Sequence, residues 1–312
     1  MRAQVLGSRL VAVADTDRAA AERIGVPAVT EYRRLLDDPR VDAIIVATPA
    51  PLHRDMVLHA LGAGKHVLCE KPLATTVEAC REIVSQAGDR VLAVGFNHRY
   101  FPCMQHLKRA VASGSLGDIQ HVRALAGHRG VSEFRAEWMY RGDLSGGVMM
   151  DIGLHMTDLI RWVAGEITEV FGVASGNVWK VPGSEDHATA TMVTAGGVPV
   201  SYHATWGEWK GYRLVLEIYG SRGLTRAYYA PMANLDAPRE GPRRWRLYPL
   251  LNVHERLFGW EATAKHAFAE EIGDFERAVR GEGWGALATA TDGLRAVAIA
   301  AAVRGARACT SA

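Results

Sequence analysis

The chain is poor in the features that build stapled, membrane-bound or nucleic-acid-binding proteins. It has four cysteines, Cys69, Cys80, Cys103 and Cys309, far apart and without a CxxC pair. That spacing argues against a disulfide framework or a thiolate zinc site and makes a reducing cytoplasm the default compartment. The longest apolar runs are strand-sized and the N-terminus lacks a signal-peptide pattern, so neither a membrane span nor a leader is expected. No one sign of charge prevails, with 36 basic against 34 acidic residues. The basic residues are scattered, which speaks against nucleic acid or an anionic membrane as the main partner. Internal repeats and low-complexity tracts are missing as well.

What is present is enough for two domains: 312 residues, 48% of them hydrophobic, can fill sizeable cores. The first third alternates strand and helix signals. LVAVAD leads into the alanine-rich DRAAAERIG, stopped by Gly25, and VPAVT precedes YRRLLDD. VDAIIVATP is a β-branched run of the kind found in parallel strands buried on both faces. KHVLCEKP, then TTVEACREIVSQAG with Thr76 as N-cap, then RVLAVGF continue the series. This rhythm predicts βαβ units and a parallel, Rossmann-type sheet over residues 1–117. Beyond it, IQHVRALAGH reads as a long strand and GGVMMDIGLHMTDLIRWVAG as an amphipathic helix. Five strand-like segments follow without intervening helices, predicting an α+β domain with a largely antiparallel open sheet over 118–312. Residues 230–258 read as an irregular excursion, and two helices close the chain, near 260–280 and 286–308.

In an open parallel sheet, ligands sit beyond the carboxyl ends of the strands. Asp15, the turn Ala47–His53, the CEKP turn and GFNHRY all fall at such ends. Asp15 has the position to accept hydrogen bonds from both hydroxyls of an adenosine ribose. Its charge would repel a 2′-phosphate, which favours NAD over NADP; alone, such an acid is more often a helix N-cap. Lys71 is biased toward an extended backbone by Pro72, which would aim its amine into the crevice as a group that polarises or exchanges a proton with an alcohol. Glu70 is either its ion-pair partner or a structural acid. Asp151 and His155, four apart on one helical face, suit a proton-transferring imidazole with a carboxylate that orients it. A surface i,i+4 pair is the second reading. A metal site ranks well behind, since no third ligand is evident, and no metal is expected.

The segments GKHVLCEKPLATTVEA, VGFNHRYFP and GGVMMDIGLHMTDLIRWVAG closely resemble the Gfo/Idh/MocA oxidoreductases, along nearly the whole chain. The resemblance implies hydride transfer between nicotinamide and a hydroxyl or carbonyl carbon of a sugar, polyol or related compound. It also implies a homo-oligomer formed through the open sheet of the second domain. By the same resemblance Lys71, Asp151 and His155 are the catalytic residues, with His155 as the favoured base. Asp15, Thr48, Pro49, His53, Glu70, Lys71 and Asn97 line the cofactor, and Arg99 faces the substrate. Trp138 and Arg141, with Arg129, Trp206 and Trp209, are further candidates for substrate contact, each equally open to a packing role. Two other functions stay open: an NAD-using glycoside hydrolase of the same family, and a cofactor-deficient ligand-binding or regulatory relic.

The family opens with a strand and a GxGxxG-type loop about twenty residues before the acid at the place of Asp15. Here MRAQVLG stands instead, and it reads as the tail of the first helix closed by Gly7. GEGWGA (281–286) fits the glycine pattern nominally, but no strand precedes it, so it reads as a turn. Three explanations remain: Met1 is an internal methionine of that helix, another segment fills the slot, or a partner chain supplies it.

Overall fold

The computed structural model of the protein describes residues 4–5, 8–130 and 141–305. At its start β1 (Gln4–Val5) and β2 (Ser8–Arg9) pair antiparallel. The helical tail expected over this stretch is therefore absent at Gln4–Val5, since so short a piece gains too few hydrogen bonds to hold a helical turn. Gly7 lies outside the described residues. Next come β3 (Val13–Ala14), α1 (Arg18–Glu22), β4 (Ala28–Val29) and α2 (Arg33–Leu36). Then follow β5 (Ala43–Val46), α3 (His53–Gly62), β6 (His66–Glu70), α4 (Val77–Ser85) and β7 (Leu92–Gly95). Thr76 caps α4 as expected, its Oγ1 accepting the Ala79 N–H at 3.2 Å. A 3-10 turn at Asn97–Tyr100 leads into α5 (Pro102–Ala112).

Parallel pairing joins β5 to β6 and β6 to β7. β6 is apolar on both faces because both are covered: Val67 and Cys69 share a core with Val57 and Ala60 of α3, and Leu68 packs with Phe275 and Ala278. β3 and β4 also pair in parallel, but as a separate two-stranded sheet. This corrects one expectation. β5 is not buried on both faces: Ile44 packs on the core while Ile45, on the other face, is 49% exposed, at the edge of the four-stranded sheet.

The second sheet has eight strands, interrupted in sequence by the helix that carries the site. β8 (Ile119–Gly127) is followed by α6 (Gly142–Ser145), then by a π-helical turn over Met149–Gly153 that runs into α7 (Leu154–Ala164). Then come β9 (Ile167–Ser175), β10 (His187–Thr194), β11 (Pro199–Thr205), β12 (Arg213–Gly220) and β13 (Gly223–Tyr229). The stretch read as irregular in fact adds β14 (Ala233–Pro238), β15 (Arg244–Leu247) and α8 (Pro249–Phe258). β15 is an outer strand with all four side chains exposed, so it shows no apolar alternation to read. The chain ends with α9 (Glu261–Val279), β16 (Ala288–Thr289) and α10 (Ala290–Gly305).

The strand order is β15-β14-β13-β12-β8-β11-β10-β9, and every pairing is antiparallel except that of β8 with β11. α7 buries Leu154, Met156, Leu159 and Ile160 in a core shared with Tyr202, Trp206 and Leu216 from the sheet. Each such side chain contributes about 1.5–3 kcal/mol, which anchors the site-bearing helix firmly. The last segment crosses the division expected at residue 117. β16 pairs antiparallel with β7 of the first sheet, and α10 packs on α4, α7 and β9. The carboxyl end of β7 is thereby tied to the second domain. No described helix is long and apolar enough to cross a membrane.

Candidate active site

β6 ends at Glu70, so the next residue, Lys71, leaves the sheet at its carboxyl edge, and its side chain is 20% exposed. Its ammonium donates to Asp151 Oδ1 at 3.0 Å and to the Asp151 carbonyl at 3.2 Å. Glu70 is not its ion-pair partner. Glu70 Oε2 accepts only the Lys71 backbone N–H, at 3.3 Å, and burial pushes this carboxyl up against the pull of Lys71. The neighbouring Gly95 is needed for this approach, because a Cβ there would lie 3.0 Å from Glu70 Oε2.

Asp151 reaches Lys71 from the π-helical turn. The extra residue in that turn re-aims the side chain, as π-bulges at functional sites commonly do. Gly153 lets the turn pack tightly, since a Cβ would fall 2.8 Å from Tyr202 Oη and 2.9 Å from the Val148 carbonyl. Asp151 Oδ2 accepts from His128 Nε2 at 2.8 Å and Trp206 Nε1 at 3.0 Å. Burial alone would raise the Asp151 carboxyl, but the Lys71 ammonium and then the His128 hydrogen bond outweigh it and hold it far below the usual range. Asp151 therefore does not orient His155, and the surface-pair reading is overturned as well.

His155 is 7% exposed. Its ring stacks on His98, with centroids 3.8 Å apart, and meets the edge of Phe96. Nδ1 is buried without a hydrogen-bond partner. Burial first, then His98 and Lys71, push His155 well below the ordinary histidine range. Burial likewise drives His98 down to about 3, while its Nε2 meets Tyr212 Oη at 3.1 Å. Both rings are neutral at pH 7, so His155 is able to accept a proton beside an ammonium that can hold an oxygen.

The remaining candidates divide. Asp15 stands exposed just past β3, and its Oδ1 accepts the Asp17 N–H at 2.9 Å while Oδ2 has no partner in the described chain. Asp17, not Asp15, is the N-cap of α1. Thr48, half-buried, and Pro49, exposed, form the turn after β5, and Asn97 is buried just past β7. His53 does not present its ring to a ligand. It is buried with Nδ1 2.7 Å from the Pro72 carbonyl and Nε2 2.7 Å from the Thr48 carbonyl, so it locks two turns of the crevice together.

Arg99 also turns away from the crevice. It is 4% exposed and makes a bidentate pair with Asp158, with Asp292 at 3.3 Å and the Ala286 carbonyl at 3.3 Å. Burial pulls its guanidinium down, but Asp158 and Asp292 together outweigh it and keep it charged. Trp206 is fully buried and cannot stack on a sugar, whereas Trp209 is 89% exposed and its carbonyl accepts Arg129 at 2.8 Å. Arg141 is exposed before α6, and Trp138 lies outside the described residues. His128, His98, Tyr212 and the contact of Trp206 with Asp151 were not foreseen. The one local signal was a histidine in GHRG, directly after a strand. Among the described residues no three His, Cys, Asp or Glu side chains gather as a metal site.

Residues 2–98 match the oxidoreductase family with an NAD-binding Rossmann fold, and residues 104–226 match the GFO/IDH/MocA C-terminal domain. The chain is 30% identical to inositol 2-dehydrogenase of Rhizobium meliloti over 313 aligned positions, covering 95% of this chain and 89% of that one. This chain belongs to the Gfo/Idh/MocA oxidoreductase family. Another Gfo/Idh/MocA relative, inositol 2-dehydrogenase of Rubrobacter xylanophilus, is 34% identical over 243 residues, which span 72% of this chain and 65% of that protein. A levoglucosan dehydrogenase solved with NADH and levoglucosan has the same fold, with a TM-score of 0.81 at 23% identity, over 94% of this chain and 86% of that one.

Proposed function

We propose that this protein oxidises a secondary hydroxyl of a sugar or polyol with NAD as hydride acceptor. The observation that carries the reading is the Lys71–Asp151 ion pair bridging the two domains at the carboxyl end of β6, beside a neutral, buried His155. The donor set at the strand ends fits NAD: Asp15 offers an unpartnered carboxylate oxygen to a ribose diol and would repel a 2′-phosphate. Thr48, Pro49 and Asn97 would flank the cofactor, with His53 holding the first turn in place. Bound there, NAD would supply the hydride-accepting carbon.

The chain's own residues handle the proton. The Lys71 ammonium donates a hydrogen bond to the substrate oxygen and stabilises the charge that develops there. His155, neutral at pH 7, is placed to accept the hydroxyl proton. Asp151 keeps Lys71 aimed. In the oxidative direction activity falls as pH drops through the pKa of His155, because the imidazole must be neutral to act.

The inositol 2-dehydrogenases and levoglucosan dehydrogenase named above make myo-inositol and levoglucosan the first compounds to assay with NAD and NADP. The expected result is polyol-dependent NADH formation with NAD preferred, lowered by about 10²-fold or more in Lys71→Ala and His155→Ala. Unchanged turnover in both variants would remove the assignment. Ligand binding without NAD(H) binding would assign a non-enzymatic role instead. We also place a second copy of the chain on the open face of the eight-stranded sheet, where Phe171 and Val173 are exposed. Sedimentation showing only monomer would end that reading.

A further inference from the structure

The ammonium of Lys71 takes only one oxygen of Asp151; the other is held by two N–H donors that the proposed chemistry does not use. His128 Nε2 lies 2.8 Å and Trp206 Nε1 3.0 Å from Oδ2. The far side of the His128 ring is also occupied, because Nδ1 accepts the backbone N–H of Gly130 at 2.8 Å. A ring nitrogen that accepts carries no proton, so His128 is the neutral tautomer with its hydrogen on Nε2, donating to Asp151.

The ring's base is fixed too. His128 N–H donates to the Thr205 carbonyl at 3.1 Å, and its carbonyl accepts Glu208 N–H at 3.2 Å. Gly130 sits at φ +54°, and a Cβ there would lie 2.8 Å from Trp206 Cβ. A turn that needs glycine for its backbone and for its clearance thus delivers the N–H that sets the tautomer. Trp206 is fully buried, and its carbonyl accepts Trp179 Nε1 at 3.0 Å.

We propose that His128, seated by Gly130 and paired with Trp206, is a positioning residue that fixes the Asp151 carboxylate so that its other oxygen faces Lys71. A carboxylate held by the lysine alone can swing about its side-chain torsion and carry the ammonium with it. With two rigid donors on Oδ2, that motion breaks two hydrogen bonds to a charged group. His128 acts through Asp151 and need not touch substrate. The kinetic part of the inference rests on the proposed dehydrogenase reading; the hydrogen-bond part does not.

The test uses the full chain and two kinds of readout. By nitrogen-15 NMR the His128 ring should carry its proton on Nε2 at neutral pH, and Asp151→Asn should shift the Trp206 indole N–H resonance. In kinetics His128→Ala should lower kcat roughly tenfold to a hundredfold, the loss expected for a hydrogen bond to a charged group, with KM changed by less than about threefold. His128→Gln, whose amide nitrogen reaches the place of Nε2, should recover most of that loss. A proton on Nδ1, an unmoved Trp206 resonance, unchanged kcat in His128→Ala, or a glutamine variant as slow as alanine would each overturn the proposal. If the wild-type chain turns over no polyol, the dehydrogenase reading fails, and the two resonances alone decide this one.

Discussion

Replacing Asp158 by asparagine separates structure from substrate contact at Arg99. The two side chains are 5% and 1% exposed and joined by N–H···O bonds of 2.7 and 2.5 Å, linking the turn after β7 to α7. Removing one partner of a buried pair strands the other charge and costs about 3–5 kcal/mol. Asp292 stays 3.3 Å from the same guanidinium, which moves the expectation to the lower end, about 3 kcal/mol. A chain of 312 residues unfolds with roughly 0.65 kcal/mol/K of entropy, at about 2.1 cal/mol/K per residue. The melting temperature of Asp158→Asn should therefore fall by about 4–6 °C. Calorimetry gives that shift, and KM for the polyol on the same sample should stay within about threefold, because the Arg99 guanidinium is turned to Asp158 and Asp292. An unchanged melting temperature together with a tenfold higher KM would refute the reasoning and return Arg99 to the substrate.

Two further outcomes follow from the same geometry. His98 is held neutral down to about 3 and His155 is pushed well below its ordinary value, both by burial. The unfolded chain protonates these rings below about pH 6.5, so it binds more protons and stability falls as pH drops from there toward 3. The slope is up to about 1.4 kcal/mol per pH unit for each ring. Urea titrations at about pH 6.5 and about pH 5 should differ by up to about 2 kcal/mol for His98, with His155 adding in the same direction, and replacing both rings by glutamine should flatten the difference. Gly153→Ala must push on Tyr202 Oη at 2.8 Å and the Val148 carbonyl at 2.9 Å. It should cost about 1–3 kcal/mol and lower kcat by displacing Asp151, which a melt and a rate measurement together check.

The parts of the site legible in the sequence were those fixed by chain position. Lys71 follows a buried strand, and Asp151 and His155 share one helical segment, so their place at the crevice can be worked out from chain position, though the π-turn changes where Asp151 points. What a side chain touches across the fold cannot be. Arg99 sits in the same GFNHRY segment as Asn97, yet its partner Asp158 lies 59 positions on. His53 and Trp206 carry groups that suit a ligand, but the fold surrounds them with carbonyls and a carboxylate of its own. The π-turn leaves no mark on the hydrophobic pattern, since one added residue in a buried helix keeps both flanks apolar. β15 escaped notice for the opposite reason, because all four of its side chains are exposed.

Label transfer tests the central claim most directly. A polyol carrying deuterium on the carbon to be oxidised is incubated with the protein and NAD, and both products are weighed by mass spectrometry. The account predicts one deuterium in the reduced cofactor for each ketone formed, and a loss of about 10²-fold or more in Lys71→Met at a temperature where circular dichroism shows the variant still folded. Turnover that leaves the cofactor unlabelled, or labelling at the wild-type rate in Lys71→Met, would contradict it.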